Sequence, residues 1–184
     1  MSGIRSVVLG AVLMASAGVA PVFAQGAEFS LGGGVSIPSG NFDDFAKLGW
    51  HGMAAVSYTP QTVPVGFQLD GNFSRLSDES PLDIKSQLIY GTGNVVYKFK
   101  TSEDTRFRPY LIGGGGVYNL DVKGDDVGIG TESVTKFGIN AGAGFDFKAG
   151  SAGVFVEGRF HNVFTEGDNT NFIPITVGVR FGGS

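Results

Sequence analysis

The stretch Lys136 to Phe160, KFGINAGAGFDFKAGSAGVFVEGRF, alternates with a period of two on either side of a short break. In its first half Phe137, Ile139, Ala141, Ala143, Phe145 and Phe147 share one phase, and Gly138, Asn140, Gly142, Gly144 and Asp146 share the other. Successive side chains of a β-strand point to opposite faces, so this spacing predicts a strand with one apolar face. Lys148 to Ser151 reads as a turn, after which Val154, Val156, Gly158 and Phe160 alternate with Phe155, Glu157, Arg159 and His161. Two long antiparallel strands result. Their polar face consists of glycine, asparagine and paired charges, while their apolar face is rich in phenylalanine. A small soluble sheet turns its bulk to a protein core, and here the bulky face is the one predicted to meet lipid.

The beginning of the chain fits export. Arg5 precedes the short apolar run Val7 to Ala20, and Val22-Phe23-Ala24 offers small residues at a cleavage position, so residues 1–24 read as a signal peptide and 25–184 as one domain. A membrane-spanning helix needs roughly 20 apolar residues, and no stretch supplies them. A membrane role then requires a β-barrel, the other structure that satisfies every backbone polar group without water. The chain has no cysteine, which excludes a disulfide framework and thiolate metal sites. Its net charge of −4 argues against nucleic acid as a partner.

Period-two segments recur along the whole domain. Glu28 to Ile37, Trp50 to Tyr58, Val65 to Arg75, a segment from near Ile84 to Phe99, Phe107 to Leu120, the two strands of the hairpin and Ile173 to Phe181 make eight. The phase of the fourth blurs at Gly91 to Gly93, where the sequence allows a bulge. In the fifth, Tyr110, Ile112 and Tyr118 share a phase around Gly113 to Gly116. Connections alternate in character. The first, third, fifth and seventh are mostly longer and hold Asp43, Asp44, Asp78, Glu79, Asp83, Asp121, Asp125, Asp126, Glu132, Glu166 and Asp168, while the intervening short turns carry Lys98, Lys100, Arg106, Arg108 and Lys148 in or beside them. Long loops on one side and short turns on the other describe an eight-stranded antiparallel up-and-down transmembrane β-barrel with both termini in the periplasm.

Charge placement agrees with that architecture. A Lys or Arg on the lipid face near the midplane costs about 2 to 4 kcal/mol, and Asp70, Glu157, Arg159 and Arg180 all fall in the polar phase of their own strands. These four are the expected luminal charge network, with Glu157 and Asp70 compensating Arg159 and Arg180, and Gln68, Asn94 and Asn140 completing the hydrogen bonding.

The segments Arg108 to Tyr118, Phe137 to Phe145, Val156 to Phe160 and Ile175 to Phe181 together resemble the small eight-stranded outer-membrane β-barrels of the OmpX and OmpA transmembrane-domain type, the outer membrane protein beta-barrel domain group. The resemblance covers the mature chain. It implies a bacterial outer-membrane location, outer-membrane lipid and lipopolysaccharide as surroundings, and a monomer. It also implies an assembly signal at Val177, Val179 and Phe181 for the barrel-assembly machinery, although here Gly182-Gly183-Ser184 follows the aromatic. OmpA-like proteins add a peptidoglycan-binding domain that has no counterpart in this sequence.

Site chemistry is sparse. The glycine runs lack the helix start that a phosphate-cradling loop needs, and instead suit the tight curvature of a small barrel. His51 and His161 are the only histidines. Some members of the resembled group are lipid-A deacylases with a Ser, a His and an acid on the outer wall, but His161 lacks a hydroxyl two residues on and shares its phase with Glu157 and Arg159. No catalytic residue, cofactor or metal is expected. Trp50, Tyr58, Tyr97, Tyr110 and Tyr118 are expected at the membrane interfaces. The expected function is a non-enzymatic barrel with a packed lumen that displays acidic loops for envelope stability or adhesion. A narrow pore, a lipid-modifying enzyme and a soluble lipocalin-type barrel are the alternatives.

Overall fold

Alternating sequence of this kind can bury neither face alone, and the chain resolves the problem by closing its sheet into a ring. The computed structural model describes residues 26–39, 48–60, 62–76, 85–101, 105–123, 132–149, 152–165 and 169–182. It contains β1 (Ala27–Ser39), β2 (Gly49–Tyr58), β3 (Val65–Leu76), β4 (Lys85–Lys98), β5 (Phe107–Lys123), β6 (Glu132–Ala149), β7 (Ala152–Val163) and β8 (Thr170–Gly182). Each strand pairs antiparallel with the next, and β1 pairs with β8, from Glu28 opposite Gly182 to Ser39 opposite Asn171. Every strand therefore has a partner on both sides, and no edge remains to hydrogen-bond elsewhere.

The opening hairpin pairs as its periodicity requires, with Ala149 opposite Ala152, Gly144 opposite Glu157 and Gly142 opposite Arg159. Phe137, Ile139, Ala141, Ala143, Phe145 and Phe147 all lie exposed on the outer wall, while Asn140, Glu157, Arg159 and His161 lie buried inside. The same division holds around the ring. Phe29, Leu31, Val56, Phe67, Leu69, Val95, Leu111, Val117, Ile175 and Val177 form an apolar outer band, with Leu69 70% exposed to the surroundings. Asp70, the next residue and therefore on the opposite face, is 6% exposed. A lipocalin-type barrel requires the opposite arrangement, so that alternative falls.

Three sequence expectations change. Gly91 to Gly93 form no bulge, because Leu69 opposite Gly93, Asp70 opposite Thr92 and Gly71 opposite Gly91 keep an unbroken register. Asp121 and Glu132, expected in the fifth connection, belong to strands instead, since β5 runs to Lys123 and β6 starts at Glu132. Tyr110 and Tyr118 are not interfacial. They are among the most deeply buried side chains of the barrel and point into the lumen. Trp50, Tyr58 and Tyr97 do face outward. Residues 1–24 and most of the acidic loop residues, including Asp43, Asp44, Asp78, Glu79, Asp83, Asp125, Asp126, Glu166 and Asp168, lie outside the described residues.

Inward glycines decide how large the luminal side chains can be. A Cβ on Gly142 would sit 2.8 Å from Cγ of Arg159, its cross-strand neighbour, and one on Gly178 would sit 2.6 Å from Cζ of Phe155. The missing side chains of β6 and β8 are thus the space into which Arg159 and Phe155 fold. Outward glycines differ, since a Cβ on Gly71 or Gly158 would meet nothing within 4 Å.

Candidate functional site

Among the described residues, buried polar side chains concentrate in the lumen, where they are arranged in tiers along the barrel axis. In the middle tier Arg159 of β7 lies between two carboxylates. Its Nε donates to Oε1 of Glu157 at 2.5 Å, and its Nη1 donates to Oδ2 of Asp70 on the opposite wall at 2.9 Å. Asp70 also accepts from Gln68 Nε2 at 3.2 Å, Asn72 Nδ2 at 2.7 Å, Thr92 Oγ1 at 2.8 Å and Asn94 Nδ2 at 2.8 Å. Glu157 receives the Tyr110 hydroxyl at 2.8 Å. One guanidinium faces two acids, and neutral donors satisfy the remaining lone pairs, which is what a buried charge cluster needs to survive desolvation.

Arg180 belongs to a different tier. Its Nη1 pairs with Oδ1 of Asp146 at 2.6 Å, its Nε donates to Ser30 Oγ at 3.2 Å, and its guanidinium carbon lies 4.8 Å from the ring centroid of Phe155 and 5.2 Å from that of Tyr110. Both rings therefore add cation–π contact to the ion pair. Beside it Lys98 Nζ pairs with Glu28 Oε2 at 2.6 Å, and Ser57 donates to the same oxygen at 3.3 Å. The expected four-residue network thus divides. Asp70, Glu157 and Arg159 come together, whereas Arg180 takes Asp146, a residue the sequence pattern placed on the right face without giving it a partner. Below these ion pairs, at the end bearing the short turns, the start of β1 and the end of β8, opens a cavity of about 710 Å³.

Apolar side chains pack in the lumen on either side of the charges. Val96, Tyr110 and Ile112 cluster near the turn end, with Met53, Ala55 and Phe155 beside them. Toward the loop end Leu88, Tyr90, Tyr118, Val163 and Phe172 pack together. There Tyr90 stacks on Tyr118 at 5.1 Å, and Phe172 stacks on His161 at 4.7 Å. The Tyr118 hydroxyl meets His161 Nδ1 at 2.8 Å. His51 lies between Ser36 Oγ at 3.2 Å and Thr176 Oγ1 at 2.8 Å. Both histidines are thus interior, away from the outer wall where a lipid would have to react. Among the described residues, no group of three or more metal-ligating side chains comes together.

Asn94 serves Asp70 through its nitrogen while its Oδ1 is unpaired, and the amide of Asn140 makes no hydrogen bond among the described residues. The Tyr90 hydroxyl is likewise buried and unpaired. Sequence reasoning missed Tyr110 as the group that ties the two charged tiers together, donating to Glu157 and accepting from Arg180 Nη2 at 3.4 Å. Its shared phase with Ile112 and Lys98's shared phase with Asn94 were the available signals. The terminal residues Val177, Val179 and Phe181 all stand on the outer wall, exposed in alternation with buried Thr176 and Arg180.

Comparison with known proteins places this geometry in context. Neisserial surface protein A superposes with a TM-score of 0.68 at 16% identity, covering 85% of this chain and 97% of that one. The attachment invasion locus protein Ail of Yersinia pestis gives 0.56 at 18% identity, covering 85% and 99%. The N-terminal β-barrel domain of Pseudomonas aeruginosa OprF gives 0.53 at 14%, covering 85% and 98%. At these identities the likeness is one of fold. No curated protein sequence matches the chain. The model of the outer membrane protein beta-barrel domain matches residues 9–181. An eight-stranded closed barrel with an apolar outer wall, matched by that model over nearly its full length, is an outer-membrane barrel, and the chain belongs to the outer membrane protein beta-barrel domain family.

Proposed function

We propose that the barrel is a non-enzymatic, non-conducting platform that holds acidic loops at the bacterial surface, where they serve envelope stability or attachment. The observation that carries this reading is the filled lumen. Eight strands enclose an interior just wide enough for side chains, and here two apolar clusters bracket the Arg159 ion pairs. Burial of His51 and His161 inside the wall supports the absence of lipid chemistry. A signal peptide at residues 1–24, delivery to the barrel-assembly machinery through Val177, Val179 and Phe181, and a monomeric state complete the proposal.

The loop sequences favour a cationic partner. Ail has been solved with the heparin analogue sucrose octasulfate, a polyanion. The loops of this chain instead carry Asp43, Asp44, Asp78, Glu79, Asp125, Asp126, Glu166 and Asp168, so a basic peptide or divalent cations bridging lipopolysaccharide complement them better.

Planar-bilayer recording tests the platform. The purified barrel should give no reproducible single-channel steps, and steps that recur would replace the platform with a narrow pore. Release of fatty acid from lipopolysaccharide or phospholipid, abolished by His161→Ala, would replace it with a lipid-modifying enzyme.

A further inference from the structure

The turn-end mouth of the barrel has a chemistry that a surface-display role does not use. We propose that it is a binding site for an oligoanion, a molecule carrying two or more phosphate or carboxylate groups, presented from the periplasmic side.

Strand phase carries the argument. In β4 the luminal phase runs through Tyr90, Asn94 and Lys98, and continuing it one step beyond the strand gives Lys100. In β5 it runs back from Tyr110 to Arg108 and Arg106. In β6 it runs through Asn140, Asp146 and Lys148, and in β8 it contains Arg180. All six described basic residues at this end therefore fall in the phase that faces the mouth. The lipid-facing phase at the same level belongs to Tyr97, Phe99, Phe107, Phe145 and Phe147. A ring of cations meant for lipid headgroups would project outward with those aromatics.

The cations sit around a formed cavity of about 710 Å³, within the size range of small-molecule sites. Its floor is the pair of bridges Lys98–Glu28 and Arg180–Asp146, with the Arg180 side chain 7% exposed. Those bridges consume the two described acids that line the cavity. Lys100, Arg106, Arg108 and Lys148 remain on the rim, exposed and without an ion pair among the described residues. Glu103 and Asp104 follow in the β4–β5 sequence and lie outside the described residues; among the described residues the cavity is lined by six basic side chains and two acids. The two turns that bear the rim cations are fixed to each other by Lys148 N–H donating to Arg106 C=O at 2.9 Å. That bond holds the backbones of Arg106 and Lys148 side by side at the rim before any ligand arrives. Arginine forks match the paired oxygens of phosphate and carboxylate, and a cationic cleft with low-dielectric walls focuses its field on an approaching anion.

Calorimetric titration with inorganic tripolyphosphate tests the site, using the barrel in nanodiscs of zwitterionic lipid. The expected result is saturable binding of one tripolyphosphate per barrel, competed by citrate and weakened by salt. Arg108→Glu combined with Lys148→Glu, both at exposed rim positions, should reduce affinity by about tenfold or more, whereas Arg75→Glu at the opposite end should leave it unchanged. Retention of the wild-type thermal transition in the double variant excludes misfolding as the cause. Absence of saturable heat, or equal weakening by Arg75→Glu, would overturn the proposal. Nanodiscs containing phosphatidylglycerol identify the source of the anion: displaced tripolyphosphate means headgroups fill the mouth, and undisturbed binding means a soluble ligand does.

Discussion

Arg159 and Asp70 join opposite walls of the barrel: β7 and β3 stand half a circumference apart, and the guanidinium and carboxylate meet at 2.9 Å between them. The same guanidinium holds Glu157 at 2.5 Å. Removing it leaves two desolvated carboxylates without their counter-ion. Breaking a buried pair from one side costs about 3–5 kcal/mol.

Arg159→Met should accordingly lower the unfolding free energy by about 3 kcal/mol or more in urea titrations of vesicle-embedded protein. Adding Asp70→Asn to that variant should recover part of the loss. A single-variant loss below about 1 kcal/mol, the range of exposed bridges, would show that the pair is not desolvated.

Two tyrosines separate satisfied from unsatisfied burial. The Tyr110 hydroxyl donates to Glu157 at 2.8 Å, while that of Tyr90 has no partner. Tyr110→Phe should cost about 1.5–3 kcal/mol, the worth of a hydrogen bond to a charged group. Tyr90→Phe should be neutral or stabilising by about 1 kcal/mol, because it removes a buried hydroxyl that nothing pairs. The same titration reads both, and an equal loss in the two variants would contradict the assigned hydrogen bonds.

Much of this architecture was legible in the alternation of residues, and the places where it was not have physical reasons. Phe137 to Phe147 reported their face because each bulky residue has a glycine or polar neighbour. Gly91, Gly93 and Gly113 to Gly116 reported nothing, since a glycine has no side chain to show which way the strand faces. Tyr110 and Tyr118 suit either an interface or a wet interior, because the ring is apolar and the hydroxyl is not. The partner of Arg180 was beyond reach for another reason. Which residues meet across a lumen depends on strand tilt and stagger, and the alternation fixes only that Asp146 and Arg180 both point inward.

Glycines should divide by face. Gly142→Ala places a methyl 2.8 Å from Arg159 Cα and Cγ, and overpacking of that kind costs about 1–3 kcal/mol. Gly158→Ala places one in open space on the outer wall, so it should be tolerated or gain about 0.4–1 kcal/mol through a less flexible unfolded chain. Thermal midpoints of the two variants in one lipid measure the contrast, and a reversed order would refute it.

Labelling decides which wall meets the bilayer. Single cysteines at Phe137, Ile139 and Phe145 should react with a membrane-restricted reagent, and one at Asn140 should not. Ile139→Arg should also cost about 2–4 kcal/mol if that position lies near the midplane. Labelling at Asn140 with protection at its neighbours would invert the barrel.

Pairing of β1 with β8, from Glu28–Gly182 to Ser39–Asn171, has a mechanical corollary. An open sheet unravels by peeling its outermost strand, one ladder at a time. A ring offers no such strand. Extracting any one of the eight requires two ladders to part together, and in a bilayer the freed amides would find no water to replace what they lost. Resistance to pulling should therefore be distributed evenly around the circumference, and the molecule should yield abruptly as a hoop does, not fray as a ribbon does.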